Sequence, residues 1–351
     1  MFSRFLNAFT SSNSAVRRML IGTYGFLIAL NVCVWIWALV AFRHHPIVLA
    51  TALLAYSFGL RHAVDADHIA AIDNVTRKLM QERKRPVTVG LFFSMGHSSV
   101  VIMASAIVAL AATALNGRLA QYKALGSLIS TSVSTVFLFA IAAMNLLVLK
   151  SILSTLRRVK AGEAYRDDDF NALLSDRGLL SRLFRRIFRL VGSSWHMFPL
   201  GFLFGLGFDT STEIALLSMS GDQAAHGLSP WSFMVFPFLF CAGMSLVDTL
   251  DGHMMLGAYG WAYLKPIRKI YYNITMTLIS VVVAIVVGGV EALGLVASHA
   301  KAQGAVWRAV SSLNDHFGTL GYAIVGLFLA SWALSVFIYR QQSFDAVDVQ
   351  R

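Results

Sequence analysis

Long apolar runs separated by short polar segments dominate the pattern of this chain. Each run has at least the roughly 20 residues that a helix needs to cross the hydrocarbon core of a bilayer. The pattern therefore predicts an all-α integral membrane protein with eight transmembrane helices. The predicted spans are Met19–Phe42, Pro46–Thr76, Val87–Leu115, Ala124–Leu149, Trp195–Ser220, Leu228–Leu264, Ile270–Val290 and Gly318–Tyr339.

The second run, Pro46–Thr76, is unusual because it continues through a patch of charged residues. At 1.5 Å per residue, a continuous helix over this run would be about 46 Å long. That length exceeds what the bilayer core requires. We therefore expect this run to tilt, to break or to project from the membrane.

The composition agrees with a membrane protein. Apolar residues make up 57% of the 351 residues and charged residues only 13%, and the mean hydropathy is +0.65. Soluble domains have about 45–50% apolar and about 25% charged residues, so an ordinary soluble enzyme is excluded. The net charge of +11 does not indicate nucleic-acid binding, because the basic residues lie between spans and form no separate basic domain.

The distribution of basic residues predicts the orientation of the spans. If the N-terminus is cytoplasmic, 23 of the 29 Lys and Arg residues fall in cytoplasmic segments and five in external ones, and Arg61 lies within a span. This asymmetry is typical of the positive-inside rule and predicts that both termini are cytoplasmic. Residues 1–351 then form one polytopic membrane domain, with a basic cytoplasmic loop at 151–194. The sequence has no GxxxxGK[ST] phosphate-binding loop, so it predicts no ATPase within this chain.

Ionisable side chains are concentrated inside four of the predicted spans, where they are costly and usually functional. Imidazole and carboxylate groups together suit divalent first-row ions such as nickel, cobalt and zinc. The sequence therefore predicts a metal site within the membrane. The candidate metal-binding residues are His62, Asp65, Asp67 and His68 in the second span, His97 in the third, Asp209 and Glu213 in the fifth, and Asp248 in the sixth.

The spacing within the second span suggests which side chains share a face. On a continuous helix, His62, Asp65 and His68 spread over an arc of about 120°. Asp67 falls on the other side, so either the helix is unwound near residues 59–67 or Asp67 pairs with a neighbour such as Arg61.

Structural roles are the alternative for the other three clusters. The carboxylates of the fifth and sixth spans would then form hydrogen bonds between helices. His97 would be a hydrogen-bonded core histidine.

Two segments of the chain resemble each other across three spans. Residues 91–100 align with residues 238–247, so that Gly96 matches Gly243, and Gly59 likewise matches Gly205. A shift of three spans reverses direction in the membrane, which predicts an inverted repeat of spans 1–3 and 4–6. Chance similarity between glycine- and phenylalanine-rich helices is the alternative explanation.

The motifs of the polar clusters resemble those of the nickel/cobalt transporter (NiCoT) family. Residues 61–69 read Arg-His-Ala-Val-Asp-Ala-Asp-His-Ile, and three further motifs follow at 96–101, 206–213 and 236–249. The resemblance implies high-affinity uptake of nickel(II), and in some members cobalt(II), across the cytoplasmic (inner) membrane. It implies no enzymatic activity and no cofactor. The expected partners are the transported ion and membrane lipids, with no nucleic acid and no obligate protein partner.

The same resemblance implies that Asn31 and Val64 are selectivity residues of the nickel-selective branch. Two other functional classes remain open from the residues. One is a proton-coupled transporter of another divalent metal or of a small solute. The other is a metal-dependent intramembrane hydrolase, although the sequence lacks the HExxH motif of zinc hydrolases.

Overall fold

The parts of the chain that the structure describes are mostly helical. This computed structural model describes residues 14–82, 84–111, 118–160, 191–206, 216, 230–262, 266–300, 304–316, 319–327 and 330. Within these ranges it contains helices and no strand. Most of the 151–194 loop and parts of the fifth and eighth predicted spans lie outside the described residues.

The helices follow the predicted apolar runs in order. They are α1 (Ser14–Phe42), α2 (Pro46–His62), α3 (Ala66–Gln81), α4 (Val89–Ala111), α5 (Arg118–Lys160), a short 3-10 turn (Ser194–His196), α6 (Met197–Gly205), α7 (Pro230–Phe233), α8 (Val235–Ala262), α9 (Pro266–Ala300) and α10 (Ala305–Asp315). Residues 319–327, within the eighth predicted span, are also helical.

Several of these helices are long and apolar enough to cross a membrane. Within the described ranges, four segments meet this condition alone, and α2 with α3 forms a fifth if the bent pair is one span. The four segments are Val16–Phe42, Val89–Ile107, Trp231–Gly257 and Thr277–Ala297. Helix α5 contains a shorter apolar stretch, Thr131–Leu147. The outward face of α1 is apolar, and Ile21, Ile28 and Val40 are at least 60% exposed, which is typical of a surface in contact with lipid.

The second predicted span is broken, which is one of the three outcomes that its length predicted. Helix α2 ends at His62, α3 begins at Ala66, and the two axes meet at 50°. Asp65 has an extended backbone (φ −65°, ψ 146°) and its carbonyl accepts the first hydrogen bond of α3 from the N–H of Ile69, at 3.2 Å. The break therefore restarts the helix in a new direction within the charged motif.

Helix α8 lies at the centre of the fold and packs against α1, α2, α3 and α4, while α6 packs against α4 and α5 against α9. Two glycines allow especially close crossings. A Cβ atom at Gly59 would overlap the carbonyl of Phe240, and one at Gly201 would overlap the carbonyl of Phe93. These crossings bring the backbones of α2 and α8, and of α6 and α4, into direct contact.

Candidate metal centre

Three histidines from three helices meet in the interior of the protein. His62 is the last residue of α2, His68 lies in the first turn of α3, and His97 lies in the middle of α4. One ring nitrogen from each lies within 4.8 Å of the other two, and the ring centroids are 4.7–4.9 Å apart. All three residues are at most 3% exposed. The break between α2 and α3 creates this arrangement, because it turns both ends of the motif towards α4.

Two carboxylates orient two of these rings. Nδ1 of His62 lies 3.1 Å from Oδ2 of Asp65, and Nδ1 of His68 lies 3.2 Å from Oδ1 of Asp248. A carboxylate that accepts a hydrogen bond from Nδ1–H fixes the tautomer and leaves the Nε2 lone pair for a metal ion. Asp248 also interacts electrostatically with His62 and His97. The sequence motifs of the second and sixth spans therefore meet at one point.

The spacing of the imidazoles suits a first-row metal ion. Nε2 of His62 and Nε2 of His97 lie 3.1 Å apart. Two nitrogens bound at about 2.1 Å and at a right angle would be about 3.0 Å apart. Imidazole nitrogen is a good ligand for nickel, cobalt and zinc. Asp65 and Asp248, when ionised, would offset the charge of a divalent ion at this buried position.

Aromatic side chains form walls around the imidazoles. The ring of Phe93 contacts His68 edge-on with a centroid distance of 4.8 Å, and Phe240 lies 5.3 Å from His62. Such walls keep water away and lower the local dielectric constant, which strengthens the attraction between an ion and its ligands.

Five of the eight predicted metal residues come together in this centre, namely His62, Asp65, His68, His97 and Asp248. Asp67 is half-buried in the first turn of α3. Asp209 and Glu213 lie outside the described residues.

The two predicted selectivity residues lie at helix contacts. The amide of Asn31 donates to the carbonyls of Leu27 and Ala242, at 2.9 and 3.4 Å, and accepts a hydrogen bond of 3.0 Å from the hydroxyl of Tyr56. Asn31 thus joins α1, α2 and α8. Val64 lies in the break between α2 and α3, where Gly321 packs against its carbonyl.

Two buried carboxylates, Asp73 and Glu291, were not singled out from the sequence, and Asp251 belongs to the polar cluster of the sixth span but was not among the predicted metal residues. Asp73 in α3 accepts a hydrogen bond from Ser280 at 2.9 Å, and Asp251 lies one turn beyond Asp248 in α8. Glu291 in α9 accepts hydrogen bonds from the hydroxyls of Ser134 and Thr135 of α5. Each is an ionisable residue inside or at the edge of an apolar run, which is the signal that identified the other clusters.

Comparison with known proteins places these motifs in a family. Residues 48–338 match the model of the NicO family, described as "High-affinity nickel-transport protein". The "High-affinity nickel transport protein" of Cupriavidus necator is 52% identical over the full length of both chains. The "High-affinity nickel-transport protein NixA" of Helicobacter pylori is 42% identical over 86% of this chain and 92% of its own. The "Cobalt transport protein NhlF" of Rhodococcus rhodochrous is 41% identical over 80% of each chain.

No solved structure matches the chain. The family match covers well over half of the sequence and includes the three histidines and both orienting carboxylates. The chain therefore belongs to the NicO family of high-affinity nickel-transport proteins.

Proposed function

We propose that this protein is a secondary transporter that takes up nickel(II), and also accepts cobalt(II), across the cytoplasmic (inner) membrane. The observation that carries the proposal is the group of three imidazole nitrogens within 4.8 Å of one another, supplied by three helices. The family consists of transport proteins, which agrees with the prediction that the chain is a permease and not an enzyme. Cobalt is included because a relative carries the name of a cobalt transport protein.

In the proposed mechanism, His62, His68 and His97 bind the ion as it loses its water. Asp65 and Asp248 hold the rings of His62 and His68 in the orientation that presents Nε2 to the ion. Because the rings are rigid and buried, the ion exchanges water for ligands that already have the required spacing. Asp67, Asp209 and Glu213 belong to the same proposed path as residues that attract or release the ion.

The membrane potential is sufficient to drive such uptake. A potential of 100 mV contributes about 2.3 kcal/mol per charge, hence about 4.6 kcal/mol for a divalent cation. That free energy corresponds to roughly a thousandfold accumulation. Uptake driven by the membrane potential therefore requires no ATPase.

We propose the topology as eight spans with both termini cytoplasmic, one polytopic domain over residues 1–351 and a cytoplasmic basic loop at 151–194. The 23-to-5 distribution of basic residues supports this orientation.

The proposed inverted repeat of spans 1–3 and 4–6 is supported by two helix crossings. In a repeat that exchanges spans 2 and 3 with spans 5 and 6, the crossing of α2 with α8 corresponds to that of α6 with α4. The close contacts correspond residue by residue: Gly59 with Phe240 and Tyr56 with Gly243 in one crossing, Gly201 with Phe93 and Phe198 with Gly96 in the other. The contacts therefore pair Gly59 with Gly201. The sequence comparison instead paired Gly59 with Gly205, which lies one helical turn further along the chain.

The repeat would place the metal centre at its own interface. Phe93 and Phe240 are equivalent in the sequence alignment, and each lies beside one of the histidines. Transporters built from inverted repeats bind their substrates near the repeat interface. The position of the three histidines between the two crossings supports the same assignment here.

The test is uptake of labelled nickel by cells that express His62→Ala, His68→Ala or His97→Ala at equal protein level. We expect each variant to lose at least tenfold in uptake, because a buried imidazole ligand is removed. His316→Ala is the matched control, because this histidine is exposed and hydrogen-bonds to Ser312 at the end of α10. Uptake at the wild-type rate in the three variants would contradict the proposal.

A further inference from the structure

A second group of buried carboxylates lies next to the metal centre. Asp73 of α3 is 0% exposed and Asp251 of α8 is 4% exposed. Along the helix axes, Asp73 is about 7.5 Å beyond His68, and Asp251 is about 4.5 Å beyond Asp248. Helices α3 and α8 pack against each other here, since a Cβ at Gly252 would lie 3.4 Å from Ile72. Both carboxylates are therefore on the same side of the histidines.

Asp251 has buried oxygens that nothing described in this structure satisfies. Neither of its carboxylate oxygens has a hydrogen-bond partner among the described residues, and the same holds for Oδ2 of Asp248. Asp73 and Asp248, which are both carboxylates, repel a negative charge on Asp251. Burying a carboxylate without a partner is costly, and like charges increase the cost.

These contacts argue against a purely structural role for Asp251. A carboxylate that joins helices forms hydrogen bonds to its neighbours, as Glu291 does with Ser134 and Thr135. Asp251 forms none with the described residues. Asp73, Asp248 and Asp251 are three buried acidic groups, and two of them have oxygens without a hydrogen-bond partner among the described residues. A cation bound between these carboxylates would stabilise their charges.

We propose that Asp73, Asp251 and the second oxygen of Asp248 form a second divalent-cation site, which the transported ion occupies after it leaves the imidazoles. This inference rests on the proposed function. Asp248 belongs to both sites, because Oδ1 contacts His68 and Oδ2 does not take part in that contact. Carboxylate oxygen suits manganese and magnesium, whereas imidazole suits nickel. Nickel would therefore be held less tightly at the carboxylates, which favours its release.

Manganese binding tests the second site independently of nickel uptake. The purified full-length protein in detergent is titrated with Mn²⁺, and bound ion is measured by electron paramagnetic resonance. We expect one Mn²⁺ site in the wild type, weakened at least tenfold in Asp73→Asn and in Asp251→Asn. Glu291→Gln is the matched control, because it neutralises a buried carboxylate elsewhere, and it should bind Mn²⁺ as the wild type does.

Nickel binding by the same preparations separates this inference from the proposed function. Asp251→Asn should keep the tight nickel site of the histidines and lose at least tenfold in uptake by cells. His97→Ala should lose tight nickel binding and keep the Mn²⁺ site. The second site would be overturned if the wild type bound no Mn²⁺, or if both Asn variants bound Mn²⁺ as the wild type does. It would also be overturned if Asp251→Asn took up nickel at the wild-type rate, or if both Asn variants lost nickel binding together with Mn²⁺ binding. None of these results would contradict nickel binding at the histidines.

Discussion

In the proposed mechanism, Asp65 and Asp248 act on the ion through the histidines to which they are hydrogen-bonded. A carboxylate in this position raises the basicity of the imidazole and fixes its orientation, and its loss typically costs 10- to 100-fold in metal affinity. Each carboxylate also has an oxygen within 3.2 Å of a ring nitrogen, where its charge, when ionised, would attract a cation. In this proposal the two carboxylates contribute to the affinity for the ion, while the imidazoles supply the ligands.

Replacing Asp65 with asparagine tests this positioning role. The asparagine side chain could still accept a hydrogen bond from Nδ1 of His62, but it would carry no charge. For Asp65→Asn we expect the KM for nickel to rise about 10- to 100-fold, with a smaller change in maximal rate. The measurement is the concentration dependence of labelled nickel uptake. Glu82→Gln, which removes a carboxylate paired with Lys84 at the end of α3, should leave KM unchanged, and an equal KM in both variants would contradict the role of Asp65.

Asn31 contacts the backbone of α8 directly beside Gly243, where α2 crosses α8. Its effect on selectivity would then arise from the position of the helices. Tyr56→Phe removes the hydroxyl that hydrogen-bonds Asn31 and costs about 0.5–1.5 kcal/mol in that contact. We expect Tyr56→Phe and Asn31→His both to increase inhibition of nickel uptake by cobalt, several-fold. Tyr322→Phe, at an exposed position, is the control, and unchanged cobalt inhibition in both variants would show that this contact does not influence metal choice.

At the scale of elements, a break was one of three outcomes predicted from the length of the run. The helical arc of the motif gave unwinding near residues 59–67 as one of two alternatives, and the observed break at residues 63–65 lies in that range. The excess of about 16 Å over a bilayer core of about 30 Å required a tilt, a break or a projection. Hydropathy carries no information on where the backbone turns, because residues 63–65 are held by local hydrogen bonds and by packing of Gly321 on Val64. The meeting of His62, His68 and His97 follows from this turn. The 120° arc that the sequence predicted for His62, Asp65 and His68, of about that size from the helical repeat, concerned one helix, so it could not show that His97 of another helix joins them.

The ends of helices were predicted less well than their apolar centres. Helix α5 runs from Arg118 to Lys160, well beyond the predicted span at 124–149, because its polar ends continue the helix after the apolar run stops. For a related reason Asp73 was passed over, and Asp251 was left out of the predicted metal residues. A linear pattern shows that a residue is ionisable and within a span, but only packing shows which neighbours surround its oxygens.

The glycines at the crossings should be essential for packing. Gly59→Ala would bring a methyl group against the backbone of Phe240, which neither helix can relieve by a side-chain rotation. We expect a loss of about 1–3 kcal/mol in stability and a lower melting temperature in detergent, together with reduced nickel uptake. Gly289→Ala is the matched control, because nothing lies within 4 Å of its added Cβ, and it should be neutral or slightly stabilising. Equal melting temperatures for the two variants would contradict the tight crossing.

At the scale of the whole molecule, the proposed orientation can be tested with reporter fusions. Asp168 and Gln223 lie outside the described residues, in segments that the distribution of basic residues assigns to opposite sides. We expect a fused alkaline phosphatase to be inactive at Asp168 and active at Gln223, with the reverse for a fused green fluorescent protein. Phosphatase activity at Asp168 would contradict the eight-span topology.

The burial of the three imidazoles has a kinetic consequence for the whole protein. In the proposed mechanism the ion binds to residues that are at most 3% exposed, so it passes only when the helices around it rearrange. The protein should therefore behave as a carrier, with saturable flux. In proteoliposomes, unlabelled nickel inside should accelerate the inward movement of labelled nickel, because the loaded site returns to the outside faster than an empty one whose carboxylate charges lack a cation. Influx that rises linearly with concentration, without this counterflow, would identify a pore instead.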